Sequence, residues 1–163
     1  MPVDQTFFGA GIDGVPGNCY QACLASVLEL PLDQVPHFVE YEGPTDERTG
    51  ALWYYEARLW LRENVGYDLF SYDVTDEVTA PSSVFDGLPG DHRQHVGIGC
   101  GDSPRGDWQH AVIIDFDGNV IHDPHPSRAG IVGPVAAFEV LSLPDDELPL
   151  RLPAPPSSGT GER

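Results

Sequence analysis

Residues 17–26 read Gly-Asn-Cys-Tyr-Gln-Ala-Cys-Leu-Ala-Ser, a loop that runs directly into an apolar helical pattern. Apolar residues follow Asn18 at helical spacing, and Asn is among the residues favoured at a helix N-cap. We therefore expect a helix from Cys19 to about Leu30, ended by Pro31. The thiol of Cys19 then lies in the first turn of a helix that is apolar enough to be buried.

The position of Cys19 has a chemical consequence. A helix N-terminus carries partial positive charge and free N–H groups, which favour a thiolate over a thiol. Far downstream, His110 opens an apolar strand pattern, and Asp123 closes the next one after a hairpin turn at Asp117-Gly118. The hairpin should bring Asp123 beside His110. An imidazole can take the thiol proton and a carboxylate can fix the ring tautomer, so the three residues predict an activated cysteine nucleophile.

The remaining elements predict an α+β fold, because helices come first and antiparallel strands follow. A second helix is expected from about residue 49 to 64, with Gly66 at its C′ position, and residues 75–94 are expected to form a long connection. The expected strands are residues 67–74, 95–100, 110–115, 119–122 and 135–141, the last four as a meander with 110–115 central.

Domain organisation and compartment follow from composition. The 163 residues predict one domain over residues 1–150 and a disordered tail rich in Pro, Gly and Ser over residues 151–163. The odd number of cysteines, with Cys19 and Cys23 one helical turn apart, argues against a disulfide framework. Cys23 and Cys100 are interpreted as structural. With no secretory signal pattern at the N-terminus, we expect a cytoplasmic protein.

The charge balance limits the classes of molecule that we expect the protein to bind. Eight basic against 26 acidic residues give a net charge of -18, which repels phosphate backbones and anionic lipid. We therefore expect a peptide or protein substrate, with neither nucleic acid nor membrane as a partner. No cofactor is expected.

Acyl transfer also needs donors for the developing oxyanion. The backbone N–H of Cys19 is one, and a side-chain amide from Gln5 or Asn18 is the other. Gln5 is favoured, because Asn18 is expected to serve as the helix cap. Gly17 would let a substrate backbone approach the thiol. Trp108, two residues before His110, is expected either to wall the pocket or to belong to the core.

Three motifs together resemble the papain-like cysteine peptidases. They are Asn-Cys-x-x-Ala-Cys-x-Ala-Ser, then Trp-x-His-Ala-Val, then His-Asp-Pro at the end of the following strand. The most similar pattern is that of the bacteriocin-processing peptidases and related bacterial and phage domains. The resemblance covers about residues 1–38 and 95–142. It implies a central helix that carries the nucleophile and packs on an antiparallel sheet carrying the histidine and the carboxylate.

The resemblance also implies roles. Cys19 would be the nucleophile, His110 the general base and then acid, Asp123 the orienting group, and Gln5 the oxyanion glutamine. In papain-like enzymes that glutamine lies nearer the cysteine, whereas here an extended Gly-rich loop separates the two. Family members also include inactive binding domains.

The function that these residues predict is hydrolysis of a peptide or isopeptide bond through a thioester. Deamidation and transglutamination use the same three residues and stay open, as does a non-catalytic binding or regulatory module. A zinc site formed by Cys19, His110, Asp123 and His122 is a weaker alternative, because no Cys-x-x-Cys pair accompanies it.

Overall fold

The structure, a computed structural model, describes residues 1–8, 17–41, 47–85 and 96–142. The predictions for the Gly-rich approach to Cys19, for the second part of the long connection and for the C-terminal tail fall outside these residues.

Three helices and one five-stranded antiparallel sheet make up the described chain, which confirms the α+β class. The helices are α1 (Cys19–Leu28), α2 (Glu47–Asn64) and α3 (Pro81–Phe85), with short 3-10 turns at Leu32–Gln34 and Phe38–Tyr41. The strands are β1 (Asp68–Asp73), β2 (Gly97–Asp102), β3 (Gln109–Ile114), β4 (Val120–His122) and β5 (Val132–Ser142).

The strand order is β1-β5-β2-β3-β4, so the predicted meander is wrong for the last strand. β5 pairs with β1 from Ser142 to Ala137 and with β2 along its other edge. Alternation along a strand tells which residues share a face but not which strand is the neighbour, so the order was not readable from the pattern.

β3 is an interior strand as predicted, with β2 and β4 on its two sides, although the middle strand of the sheet is β2. β2 carries glycine at alternate positions, and its apolar signal is weak for that reason. A Cβ at Gly99 would lie only 2.8 Å from the side chain of Ile114, so neighbouring side chains occupy the space that β2 leaves empty. β3, in contrast, is apolar on both faces.

Helix α1 begins at Cys19 as predicted and ends two residues early. Glu29 adopts a left-handed conformation with φ of 56°, and its N–H and that of Leu30 close back onto the carbonyls of Ser26 and Ala25. This is the usual way in which a helix satisfies its last carbonyl groups. Pro31 follows directly and prevents continuation.

Helices α1 and α2 cover one face of the sheet. Leu24 of α1, Leu61 of α2 and Ile113 of β3 belong to one cluster of buried side chains. Each such fully buried leucine contributes roughly 1.5–3 kcal/mol by removal from water. The second cluster, which includes Val112 and Phe138, lies on the opposite face and is covered by residues from the segment 74–84. That segment runs over one face as predicted, although α3 within it was not predicted.

The connection between α2 and β1 is fixed by an ion cluster. Arg58 and Arg62, one turn apart on α2, both donate to the carboxylate of Asp68, Arg58 at 2.7 and 2.8 Å. Asp68 is fully buried. Burial alone would raise the pKa of Asp68, but the hydrogen bonds from the two arginines outweigh it and lower the pKa to about 2.

A second buried carboxylate lies beneath α1. The hydroxyl of Tyr20, the residue after Cys19, donates to Glu139 of β5, and both side chains are almost completely buried. No cation neutralises Glu139 among the hydrogen bonds and ion pairs of the described chain. Burial raises the pKa of Glu139 to about 7, although the hydrogen bond from Tyr20 opposes this.

Candidate active site

The thiol of Cys19 lies at the edge of the sheet, beside β3. Strand β4 pairs with β3 only at Ile113 and Ile114, which leaves the β3 edge near its beginning open to α1. The backbone N–H groups of Ala111, Tyr20 and Cys19 itself are near enough to the Cys19 sulfur to lower the pKa of its thiol. The sulfur is therefore held next to the residue that follows His110.

His110 and Asp123 form the predicted pair. The Nε2 atom of His110 lies 2.7 Å from Oδ1 of Asp123, and both side chains are buried. Asp123 also accepts the backbone N–H groups of His125 at 2.8 Å and Gly130 at 2.7 Å. Burial would raise the pKa of Asp123, but these hydrogen bonds outweigh it and lower the pKa. An ionised carboxylate at Nε2 requires a proton there, so Nδ1 of the neutral ring is the free acceptor.

The protonation states differ from those that the sequence predicted. Burial raises the pKa of the Cys19 thiol, against the three backbone N–H groups and the charge of Arg105, which lower it. Burial likewise lowers the pKa of His110, against Asp123. The prediction of a low-pKa thiol is therefore wrong for the resting state, because desolvation exceeds the effect of the helix start.

The resting site consequently holds a neutral thiol and a neutral imidazole. The described residues contain no hydrogen bond between the Cys19 sulfur and the His110 ring. Such contacts are often long in a ligand-free enzyme and tighten when substrate binds.

Gln5 connects the two halves of the site. Its backbone N–H donates to the carbonyl of Pro124 at 3.0 Å, next to Asp123, and its amide Nε2 donates to the carbonyl of Phe7 at 2.8 Å. The N–H of Asn18 also donates to that Phe7 carbonyl. Gln5 is thus held between the start of α1 and the segment after β4, although its side-chain amide is directed at Phe7. Its Oε1 atom is buried and has no partner.

Asn18 occupies the N-cap position, but the prediction that its side chain caps α1 is wrong. Its Oδ1 accepts the backbone N–H groups of Thr6 and Phe7, and its Nδ2 donates to Thr6 Oγ1 and Gln21 Oε1. All four hydrogen bonds of the amide are made within the protein. The side chain therefore fixes the N-terminal segment to α1 and has no donor left for an oxyanion.

Gly17 and Trp108 are the two other residues that the sequence predicted at the site. Gly17 is half-buried, and its carbonyl is 3.3 Å from Nε2 of His37. Trp108 is exposed and stacks over Gly106, so it does not belong to the core. It lines a groove of about 470 Å³ at the β2–β3 hairpin, whose other lining residues are Asp102, Ser103, Gly106, Asp107, Gln109 and Val132. Cys19, His110 and Asp123 are not among them, so Trp108 walls a neighbouring groove.

The sequence interpretation missed Arg105, on the hairpin between β2 and β3. Its Nη1 donates to Ser127 Oγ at 3.1 Å and lies 3.8 Å from Asp123 Oδ2. The only signal in the sequence was the position of Arg105, which is one of just eight basic residues and lies five positions before His110. His125 was also missed as a neighbour, and its ring lies edge-on to that of His110 at 6.5 Å.

The other cysteines and His122 lie where a catalytic role is not expected. Cys23 is fully buried, as predicted, and burial raises its pKa and that of Cys100. The Nε2 atom of His122 lies 3.4 Å from the Val3 carbonyl and 3.8 Å from Asp4, away from Asp123. Within the described part of the chain, no three His, Cys, Asp or Glu side chains are grouped as metal ligands would be.

Comparisons of this chain with known proteins found no match. No protein-family model, no curated protein and no solved structure matches this chain. Among the residues that the structure describes, no helix is both long and apolar enough to cross a bilayer.

Proposed function

We propose that this protein is a papain-like cysteine hydrolase that cleaves a peptide or isopeptide bond. One observation carries the proposal: a buried His110–Asp123 pair lies at the start of β3, where the backbone N–H of Ala111, the residue after His110, is near enough to the Cys19 sulfur to lower the pKa of the thiol. A buried imidazole oriented by an ionised carboxylate is an arrangement that activates a nucleophile.

The neutral resting state defines how the first step runs. Nδ1 of His110 takes the thiol proton as the Cys19 sulfur attacks the carbonyl carbon, so no thiolate has to exist beforehand. The backbone N–H groups at the start of α1 stabilise the resulting oxyanion. His110 returns the proton to the leaving amine, and the carbonyl carbon remains bonded to sulfur as a thioester. Water, deprotonated by the same ring, then releases the acid and restores the thiol.

Deamidation and transglutamination follow from the same first step. In deamidation ammonia leaves, and in transglutamination an amine replaces water. The described residues favour neither over hydrolysis.

A non-catalytic binding module is the second candidate, and the raised pKa of Cys19 is the observation that favours it. The two candidates differ in whether His110 assists the sulfur. In a binding module, Cys19 would react with an alkylating reagent only through its own small thiolate fraction.

Alkylation by iodoacetamide separates these candidates without knowledge of the substrate. We expect His110→Gln to slow labelling of Cys19 roughly tenfold or more at about pH 7, because the proton acceptor is lost. At a pH above the thiol pKa the two proteins should label at similar rates, since the thiolate then forms unaided. Peptide mapping by mass spectrometry measures the rate at each cysteine.

His122→Gln serves as the matched control, because its ring faces Val3 and Asp4. Equal labelling of wild type and His110→Gln across the pH range would contradict the hydrolase and support the binding module. So would labelling of Cys19 no faster than that of Cys23 and Cys100.

A further inference from the structure

Two buried side-chain atoms in the described part of the chain lack a hydrogen-bond partner, namely Gln5 Oε1 and Arg105 Nη2. Both residues belong to the segments that surround His110 and Asp123. A buried donor such as Arg105 Nη2, or a buried acceptor such as Gln5 Oε1, costs free energy when it has no partner, and native proteins keep few of them. Their occurrence together at one place indicates groups held ready for a ligand.

The guanidinium of Arg105 is hydrogen-bonded at Nη1 and has no acceptor at Nη2 among the described residues. The Arg105 backbone N–H donates to Ser103 Oγ at 3.2 Å, and Nη1 donates to Ser127 Oγ at 3.1 Å. The Arg105 side chain is 21% exposed. Its Nη2 atom is itself buried and has no acceptor within the described part of the chain.

Asp123 does not neutralise this arginine. The nearest carboxylate oxygen is 3.8 Å from Nη1, longer than a hydrogen bond. That oxygen, Oδ2, accepts a hydrogen bond from the N–H of Gly130. The other oxygen, Oδ1, accepts hydrogen bonds from Nε2 of His110 and from the N–H of His125. Arg105 thus differs from Arg58 and Arg62, which make direct hydrogen bonds to Asp68.

The Arg105 guanidinium acts on the reaction centre. Burial has the largest effect on each pKa: it raises that of Cys19 and lowers those of His110 and His125. The charge of Arg105 lowers all three. The arginine is therefore within electrostatic reach of both the sulfur and the imidazole. An anion bound there would lie close to the atoms that react.

We propose that Arg105 recognises a carboxylate on the substrate, next to the bond that Cys19 attacks. The inference rests on the proposed hydrolase function and names its substrate class, an amide with an adjacent carboxylate from an acidic side chain or a chain terminus. The planar guanidinium fork matches a carboxylate in shape and in charge. The chain carries a net charge of -18, so this local cation is what allows an anionic group to approach.

A pair of small reagents tests the proposal. Iodoacetate carries a carboxylate beside the carbon that sulfur attacks, and iodoacetamide is its neutral analogue. We expect Arg105→Gln to lower the ratio of iodoacetate to iodoacetamide labelling rates at Cys19 roughly fivefold or more. Arg105→Lys, which keeps the charge but not the fork, should recover part of the ratio. The ratio cancels any general change in the reactivity of Cys19.

Arg128→Gln is the matched control. It removes the same charge from a neighbouring segment, but its guanidinium already contacts Asp4 and the carbonyl of Asp123. Its ratio should stay near that of wild type. An unchanged ratio in Arg105→Gln, or an equal fall in Arg128→Gln, would overturn the proposal. Failure of Cys19 to show His110-dependent labelling would instead count against the hydrolase.

The source of the carboxylate is assigned by protection from iodoacetamide. N-acetylglycine presents a terminal carboxylate, and N-acetylaspartate α-amide presents a side-chain carboxylate. The compound that slows labelling of wild type but not of Arg105→Gln identifies the source, and protection by both indicates that either is accepted. Protection by neither would contradict carboxylate recognition.

Discussion

Two buried aspartates in this protein have the same ionisation and opposite surroundings. Asp68 is fully buried and Asp123 is 4% exposed, and hydrogen bonds lower the pKa of each against the effect of burial. Asp68 receives Arg58, Arg62 and the N–H of Leu69. Asp123 receives an imidazole and two backbone N–H groups, with an incompletely paired arginine beside it.

The difference separates a carboxylate that its arginines pair directly from one whose neighbours keep an unpaired donor and an acceptor. Arg58 and Arg62 both donate directly to the Asp68 carboxylate, so this cluster joins α2 to β1. Around Asp123, Nδ1 of His110 remains as an acceptor, and the buried Nη2 atom of Arg105 has no hydrogen-bond partner among the described residues. The pKa is lowered for both aspartates, so its direction does not distinguish them. The distinction comes from the hydrogen-bonding atoms that remain unpaired around each carboxylate.

The largest expected effect is on reactivity. Asp123→Asn should reduce amide turnover roughly 10³-fold, because the asparagine no longer fixes the proton on Nε2 of His110. Labelling of Cys19 at about pH 7 should fall to the level of His110→Gln. Asp68→Asn should leave both rates unchanged at a temperature where the protein is folded. An effect of similar size from the two substitutions would remove the distinction between the clusters.

The next largest effect is on stability, where we expect Asp68→Asn to be more damaging than Asp123→Asn. Asp68→Asn should lower the free energy of unfolding by about 4 kcal/mol, because two arginines lose their buried counter-charge. Asp123→Asn should cost less, about 2 kcal/mol, because the amide oxygen can accept either the His125 N–H or the Gly130 N–H but not both. Urea denaturation measures both. In wild type, the contribution of Asp68 is complete above its ordinary pKa of 3.8 and is lost as the pH falls toward about 2.

The third buried carboxylate, Glu139, extends the comparison to a group without a cation. It ionises near 4.5 in the unfolded chain and near 7 in the folded protein, so stability falls as the pH rises between these values. Glu139→Gln removes this titration. Above pH 7 we expect the variant to exceed wild type by on the order of 3 kcal/mol, and to match it below pH 4.

Denaturation at both ends of this pH range checks the prediction for Glu139. A wild-type protein whose stability stays flat between pH 4.5 and 7 would show that Glu139 is ionised in the fold. Glu139 would then resemble Asp68 in needing a positive partner.

Local features of the fold and the site were predictable from the sequence. Helix α1, the hairpin turn at Gly118 and the contact between His110 and Asp123 depend on residues close in sequence or on one short hairpin. The periodicity of side chains is sufficient for such features.

Features that depend on distant segments were not predictable. The place of β5 in the sheet, the four hydrogen bonds of Asn18 and the unpaired Nη2 atom of Arg105 arise only when separate segments meet. The pKa of Cys19 belongs to the same class, because desolvation depends on everything that packs around the thiol. Sequence alone indicated the helix dipole but not the burial that outweighs it.

The insertion of β5 between β1 and β2 has a consequence for synthesis of the protein. β1 pairs only with β5 among the described strands, so it stays unpaired until the ribosome has released residues up to Ser142. Pairing over such long separations slows folding. A nascent chain that already contains the thiol and the imidazole therefore still lacks a closed sheet until the residues up to Ser142 have left the ribosome.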